Sequence, residues 1–336
     1  AIIPGLALIY SCRGRFSRSV WADTGLMLLP LAAWSAFSLL YYGALFPNTA
    51  YAKLFTGINQ LDLLMQGLRY CQVTFLADPL TLLVIFAGMY AALRDSRKFV
   101  RASGIALLLT IVYVVIVGGD FMRGRFFSVP FVAALLLLAE TSLIERFLNI
   151  GVARLRSAAV IFLLFLAVFP HTPVNTGLEF QDFSLSHGIA DERGYYFDVC
   201  SLYAYLYSRP GELFPEFEWS QIGRQIGLSG VEYLENDFNG MLGFWAGTKP
   251  VIVDRLALTD PFLARQPVSD RQNWRIGHFK REVPEEYRLS IEKGQNMFKT
   301  PENAALFDKI VHATRDRQFF SFKRLLAIVK LNLGIE

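Results

Sequence analysis

Residues 102–127 read ASGIALLLTIVYVVIVGGDFMRGRFF. The stretch 102–118 carries no charge and approaches the roughly 20 residues that a helix needs to cross hydrocarbon. Then Asp120, Arg123 and Arg125 crowd into a few positions before a second apolar run opens at Phe126. A charged side chain at mid-membrane costs about 2.5–3.5 kcal/mol on insertion scales. Gly118 and Gly119 suit a helix end, and Gly124 suits a tight turn. The pattern predicts two membrane helices joined by a charged hairpin.

Working outward, further candidate spans lie at 24–43, 74–93, 126–144 and about 157–172. The last is short and needs Arg154 and Arg156 to snorkel. With 53% hydrophobic residues and a mean hydropathy of +0.35, the chain is too apolar for an ordinary soluble domain. The two halves differ. Residues 1–170 hold 14 Lys+Arg against 7 Asp+Glu, and 171–336 hold 19 against 22. The net charge of +4 is therefore a basic membrane half plus a faintly acidic half, and gives no sign of nucleic-acid binding.

Basic residues set orientation. Segments 11–19, 94–101 and 145–156 carry ten Lys and Arg, whereas the alternating loops 44–73 and 119–125 carry four. The first set is expected in the cytoplasm. The expected architecture is an α-helical polytopic membrane domain of about five spans, 1–170, followed by an extracytoplasmic α/β domain, 171–336. Within the latter, 191–211 reads as one helix, LGFWAG and PVIVD as strands, and 285–295 and 301–314 as helices. The tail 319–334 is basic and amphipathic, as in a helix lying along the membrane surface or one packed on its own domain. Cys12, Cys71 and Cys200 form no metal-ligand spacing.

Three sets of residues are candidates for chemistry. In the outer loop, Leu61, Leu64, Met65 and Leu68 recur at helical spacing, as in a helix on a membrane surface. Asn48, Tyr51 and Lys53 would then meet a lipid headgroup, or the loop packs on its own protein. In the hairpin, Arg123 and Arg125 offer forked donors for a lipid-linked phosphate. The alternative is that Asp120 pairs with one of them and ties off the turn. In the second half, Asp254 and Asp260 flank RLALT and, with Trp245, Trp274, Arg275 and His278, could line a sugar subsite. Otherwise Trp274 and His278 are packing residues and Asp260 caps the turn before Pro261.

YYGALFPNTAYAKL at 41–54, VGGDFMRGRFFSVPF at 117–131, VIVDRLALTDPFLAR at 251–265 and WRIGHFKR at 274–281 occur in that order. Together they resemble bacterial membrane glycosyltransferases of the GT-C type, related to the mycobacterial terminal beta-arabinofuranosyltransferase. The resemblance implies the bacterial inner membrane, a polyprenyl-phosphate sugar donor and an extracytoplasmic glycan or glycoconjugate acceptor. It implies no cofactor, although a divalent metal is an alternative source of positive charge. In such enzymes the catalytic acid lies in the first outer loop. The chain opens AIIPGLALIYSCRGR, like the tail of a membrane helix, so that acid is expected upstream of Ala1. Arg123, Arg125 and Lys53 become the expected phosphate-binding set, and Asp120 orients them or touches the sugar.

Two other classes compete. A lipid-linked sugar transporter would want charges inside its spans, where only Asp78 and Glu140 fall, and no Walker motif is present. A non-catalytic glycan-binding accessory protein is the other. A soluble hydrolase is excluded by the spans, and neither GxSxG nor HExxH occurs.

Overall fold

The computed structural model describes residues 18–54, 56–141, 153–168, 187–209, 211, 214–316 and 318–334. They are mostly helical and form two compact units, Ala1–Leu28 with Asn59–Asp198, and Leu29–Ile58 with Val199–Glu336. The expected division at 170–171 lies outside the described residues. Residues 29–58, assigned from sequence to the membrane half, pack with the C-terminal part.

Helix α1, Arg18–Tyr42, starts in the first unit and ends in the second. A short helix, α2, Asn48–Lys53, follows in the second. The first unit continues with α3 (Gln60–Ala77), α4 (Pro79–Leu93), α5 (Lys98–Ile116), α6 (Ser128–Glu140) and α7 (Ala153–Val168). Among the described residues two helices are long and apolar enough to cross a membrane, α1 over Gly25–Tyr42 and α5. They become three if the bent pair α3–α4 counts as one span.

The expected span 74–93 is not one straight helix. Residues 74–77 end α3, and α4 leaves at 111°. The cause is local. The residue before a proline is pushed out of helical geometry, and Pro79 occupies the first turn of α4, where its missing N–H costs nothing. Asp78 (φ −145°, ψ 80°) closes one helix and caps the next, accepting from the Thr81 N–H at 3.3 Å. The run expected at 126–144 is helical only from Ser128 to Glu140, and residues 142–150 lie outside the described set. Likewise α7 covers most of 157–172, with 169–172 outside it.

This unit has an apolar core that includes Leu82, Ile85, Leu107, Val114 and Phe127, and it also turns many large apolar side chains outward. α3 buries Gln66, Tyr70 and Thr74 and turns Leu61, Met65, Leu68 and Leu76 outward. α5 exposes Leu108, Leu109, Val112 and Tyr113. An apolar exterior, with some polar side chains and small residues at the helix contacts, is what a lipid solvent favours. At Gly67 a Cβ would sit 2.1 Å from the Val115 carbonyl, so α3 meets α5 backbone to backbone.

The second unit adds α8 (Glu192–Cys200, begun in the first), α9 (Leu202–Tyr207), α10 (Glu218–Ser229), β1 (Tyr233–Asn236), α11 (Gly240–Ala246) and β2 (Val251–Asp254). Helices α12 (Glu285–Lys293), α13 (Pro301–Arg315) and α14 (Phe322–Leu333) complete it. The two strands pair in parallel, Tyr233 opposite Val251 through Asn236 opposite Asp254. PVIVD is a strand as expected, but LGFWAG is helical in α11. Its buried residues, Leu242 and Ala246, stand four apart, which is helical spacing rather than strand alternation. The helix expected over 191–211 breaks at Ser201, whose hydroxyl caps α9 through the Ala204 N–H.

The core of this unit is aromatic. Phe262 stacks on Tyr287 at 4.5 Å, with Phe298 and Phe307 around them. α2 is fastened to it through Arg281, which is buried and donates to the Ala52 carbonyl at 2.6 Å.

Candidate functional site

In the hairpin of the first unit, α5 ends at Gly118 and Gly119, both with positive φ. The Gly119 N–H returns to the Val114 carbonyl at 2.8 Å. A side chain at Gly119 would strike the Tyr70 ring, so glycine is required there twice over. The Tyr70 hydroxyl donates to the Met122 carbonyl and accepts from the Phe126 N–H, both at 3.1 Å, bracing the turn.

Within that turn Asp120 is 1% exposed; Arg125 donates from Nη2 to its Oδ1 at 2.7 Å and pairs with it electrostatically, Nε lying 2.5 Å from Oδ2. Arg123 pairs with Asp191 at 2.8 Å, and its N–H donates to the Ala190 carbonyl. Two acids therefore face two arginines. The geometry matches the reading in which Asp120 ties off the hairpin, and a phosphate arriving there competes with two carboxylates.

The acids of the second half are similarly occupied. Asp254 accepts from the N–H groups of Leu256 and Thr259, each at 2.9 Å. Asp260 accepts from the N–H groups of Phe262 and Leu263 and from the Tyr287 hydroxyl at 2.8 Å. Burial pushes the Asp260 carboxyl above its usual range, and these hydrogen bonds oppose the shift. Trp274 leans on Phe279, and Arg275 bridges to His278 across a turn at Gly277. Trp245 packs edge-on to Phe244. None of Asp254, Asp260, Trp245, Trp274, Arg275 and His278 lines the cavity of the second unit.

A cavity of about 750 Å³ opens within the second unit. Its walls include Trp34, Tyr41 and Tyr42 of α1, Phe46, and Phe307 and Phe319. Asn48 also lines it, with its side-chain amide donating to the Thr259 carbonyl at 3.2 Å. Tyr51 lies beneath the guanidinium of Arg265, 4.2 Å from its ring centre. Lys53 is not among the lining residues.

Three arginines line the cavity, Arg265, Arg315 and Arg324, against one acid, Asp316. Arg265 donates one bond, to the Pro261 carbonyl at 2.8 Å, and its buried Nη2 has no partner. Arg324, 1% exposed, donates to the carbonyls of Phe319 and Tyr41, and its Nε has no partner. Neither has a carboxylate within ion-pair distance among the described residues. Burial draws the Arg265 pKa below its ordinary value, which is the signature of a desolvated, uncompensated cation.

No family model, curated protein or solved structure matches the chain. The reading of the cavity rests on its own chemistry.

Sequence reasoning passed over the three cavity arginines. Arg265 closes the quoted run DPFLAR. Arg324 shares a helix face with Ala327, Ile328 and Leu331, so a cation stands in the middle of an apolar stripe. That misplacement was its available signal.

Proposed function

We propose that this chain acts in a membrane glycosyltransferase of the GT-C type. It moves a sugar, arabinofuranose first among the candidates, from a polyprenyl-phosphate donor to an extracytoplasmic glycan or glycoconjugate. The observation that carries this reading is the second unit's cavity, where aromatic walls surround two arginines that each keep one N–H unfilled.

An isoprenoid phosphate has the complementary parts. Its chain is apolar and suits Trp34, Tyr41 and Phe319, and its phosphate suits forked donors. An unfilled buried donor costs about 1–3 kcal/mol, a penalty that an anion drawn toward Arg265 and Arg324 relieves. During transfer the acceptor hydroxyl attacks the anomeric carbon and the bond to phosphate breaks. Negative charge grows on the leaving group, so fixed cations there stabilise the transition state more than the ground state. Asp120 and Asp260 are engaged by Arg125 and by backbone N–H groups, and neither is assigned as the base. Asn48, on the cavity wall, is a candidate contact for donor or acceptor.

The test uses the full chain in nanodiscs with polyprenyl-phosphoryl arabinofuranose and a synthetic arabinan acceptor, reading transferred sugar. Arg265→Gln is expected to lose transfer. Wild-type rates in Arg265→Gln would sink the proposal.

A further inference from the structure

Helix α14 has two apolar faces. One, with Ala327 and Ile328, is buried against its own unit. The other presents Phe322, Leu326, Val329 and Leu333 outward, at steps of four, three and four, so they form one stripe along the helix. Phe320 extends the exposed surface at its start. Lys323 and Lys330 accompany the stripe, and no acid lies between Phe319 and Gly334.

The position of α14 is fixed at one end of α1. Asn332 holds the chain just beyond α1, donating to the Gly43 carbonyl at 2.9 Å and accepting from the Leu45 N–H at 2.9 Å. Arg324 donates to the Tyr41 carbonyl, and Phe319 stacks on the Tyr41 ring at 6.0 Å. The Gly25–Tyr42 window of α1 is 18 residues, about 27 Å at helical rise, long and apolar enough to cross a bilayer. Tyr41 and Tyr42 are exposed at the end of that window, and aromatic residues of this kind gather at membrane–water interfaces. The stripe is thereby held at the level where a span leaves the hydrocarbon, with a basic flank.

We propose that α14 lies in the plane of the bilayer surface, its Phe322–Leu326–Val329–Leu333 stripe sunk among the acyl chains. Lys323 and Lys330 face anionic headgroups. The occupant of this face is lipid, argued from its continuity with the apolar surface of α1 and from charge complementarity. This proposal does not depend on the donor reading.

The experiment takes the full chain with Cys12, Cys71 and Cys200 replaced by Ser and one new cysteine carrying an environment-sensitive fluorophore. The positions are Leu326→Cys, Val329→Cys and, as a water-exposed control, Gln295→Cys. Each protein is placed in nanodiscs of phosphatidylcholine and phosphatidylglycerol, with or without lipid bearing a spin label near the top of its acyl chain. Labels at 326 and 329 are expected to emit blue-shifted light and to lose most of it to the spin label, whereas the control keeps both colour and intensity. A Lys323→Glu, Lys330→Glu variant is expected to weaken quenching in phosphatidylglycerol discs. Water-like emission without quenching at 326 and 329 would overturn the proposal. So would blue-shifted emission without quenching, because protein, such as a second copy detected by cross-linking at 326, would then cover the stripe.

Discussion

The two arginine clusters make opposite use of the same side chain. In the hairpin, Arg125 and Arg123 each hold a carboxylate, and the four charges cancel. In the cavity, Arg265 and Arg324 rest on aromatic rings and carbonyl oxygens, with an N–H left over on each and no acid in contact. A paired buried charge is part of what holds a fold together. An unpaired one is a standing cost, retained where something else gains from it. On the proposed function, the first cluster serves stability and the second binds ligand, and each half of that reading can be broken separately.

The largest effect on stability is expected at the hairpin. Arg125→Ala removes the arginine that the buried Asp120 carboxylate holds, which should lower stability by about 2 kcal/mol. Adding Asp120→Asn should recover much of that loss, because the pair then disappears together. Chemical denaturation of the reconstituted single and double variants measures both. If Arg125→Ala is as stable as the parent and fails only in transfer, the hairpin belongs with the cavity and the contrast is wrong.

The cavity should behave in reverse. Arg265→Gln removes an unsatisfied cation, so the unfolding midpoint should hardly move. Transfer should fall by about 10²–10³, the usual loss when one preorganised donor at a developing oxyanion is removed. Lysine at the same position should restore little, since it lacks the planar fork. A variant that unfolds but, while folded, transfers normally would give Arg265 a structural role. Comparing kcat with KM sharpens this, because a cation acting on the leaving group lowers kcat more than it raises KM.

Much of this molecule was legible in composition. The apolar runs of α1 and α5 stand out by length alone, and α12 and α13 follow from helical spacing and Pro-led starts. The hairpin was legible too, since glycines and charges between apolar runs have few explanations. The break at Asp78 was available in the Asp-Pro step but is masked by the hydrophobicity on both sides. Burial sense was harder. Of Leu61, Leu64, Met65 and Leu68, read as one face of a helix, three turn outward and Leu64 is half-buried, and the sequence could not say that Gln66 and Tyr70 would be the buried side. The cavity was least legible, because it joins the end of α1, residues near Pro47, the 258–265 loop and the last two helices. No local pattern announces a contact between residues 41 and 324.

The smallest effect concerns why Arg265 lacks an acid when Asp260 lies five residues earlier. Asp260 is consumed by the N–H groups of Phe262 and Leu263 and by Tyr287, and its carboxyl is raised by burial. An ion pair with Arg265 would instead lower it. The sign for stability follows from linkage. With the folded pKa above the unfolded one, the contribution of Asp260 is full below the usual carboxylate value of 3.8 and is lost as pH rises through the folded value. Asp260→Asn keeps one acceptor for the backbone and cannot ionise. Its stability relative to the parent should therefore improve as pH is raised from 3.8 toward neutrality, by about 1 kcal/mol for each unit of upward shift. Unfolding midpoints of the two proteins across that range decide the matter. A difference that moves the other way means the Asp260 pKa is depressed, either because its three hydrogen bonds outweigh burial or because a cation reaches it; only if Arg265→Gln abolishes that difference is Arg265 the cation and the comparison broken.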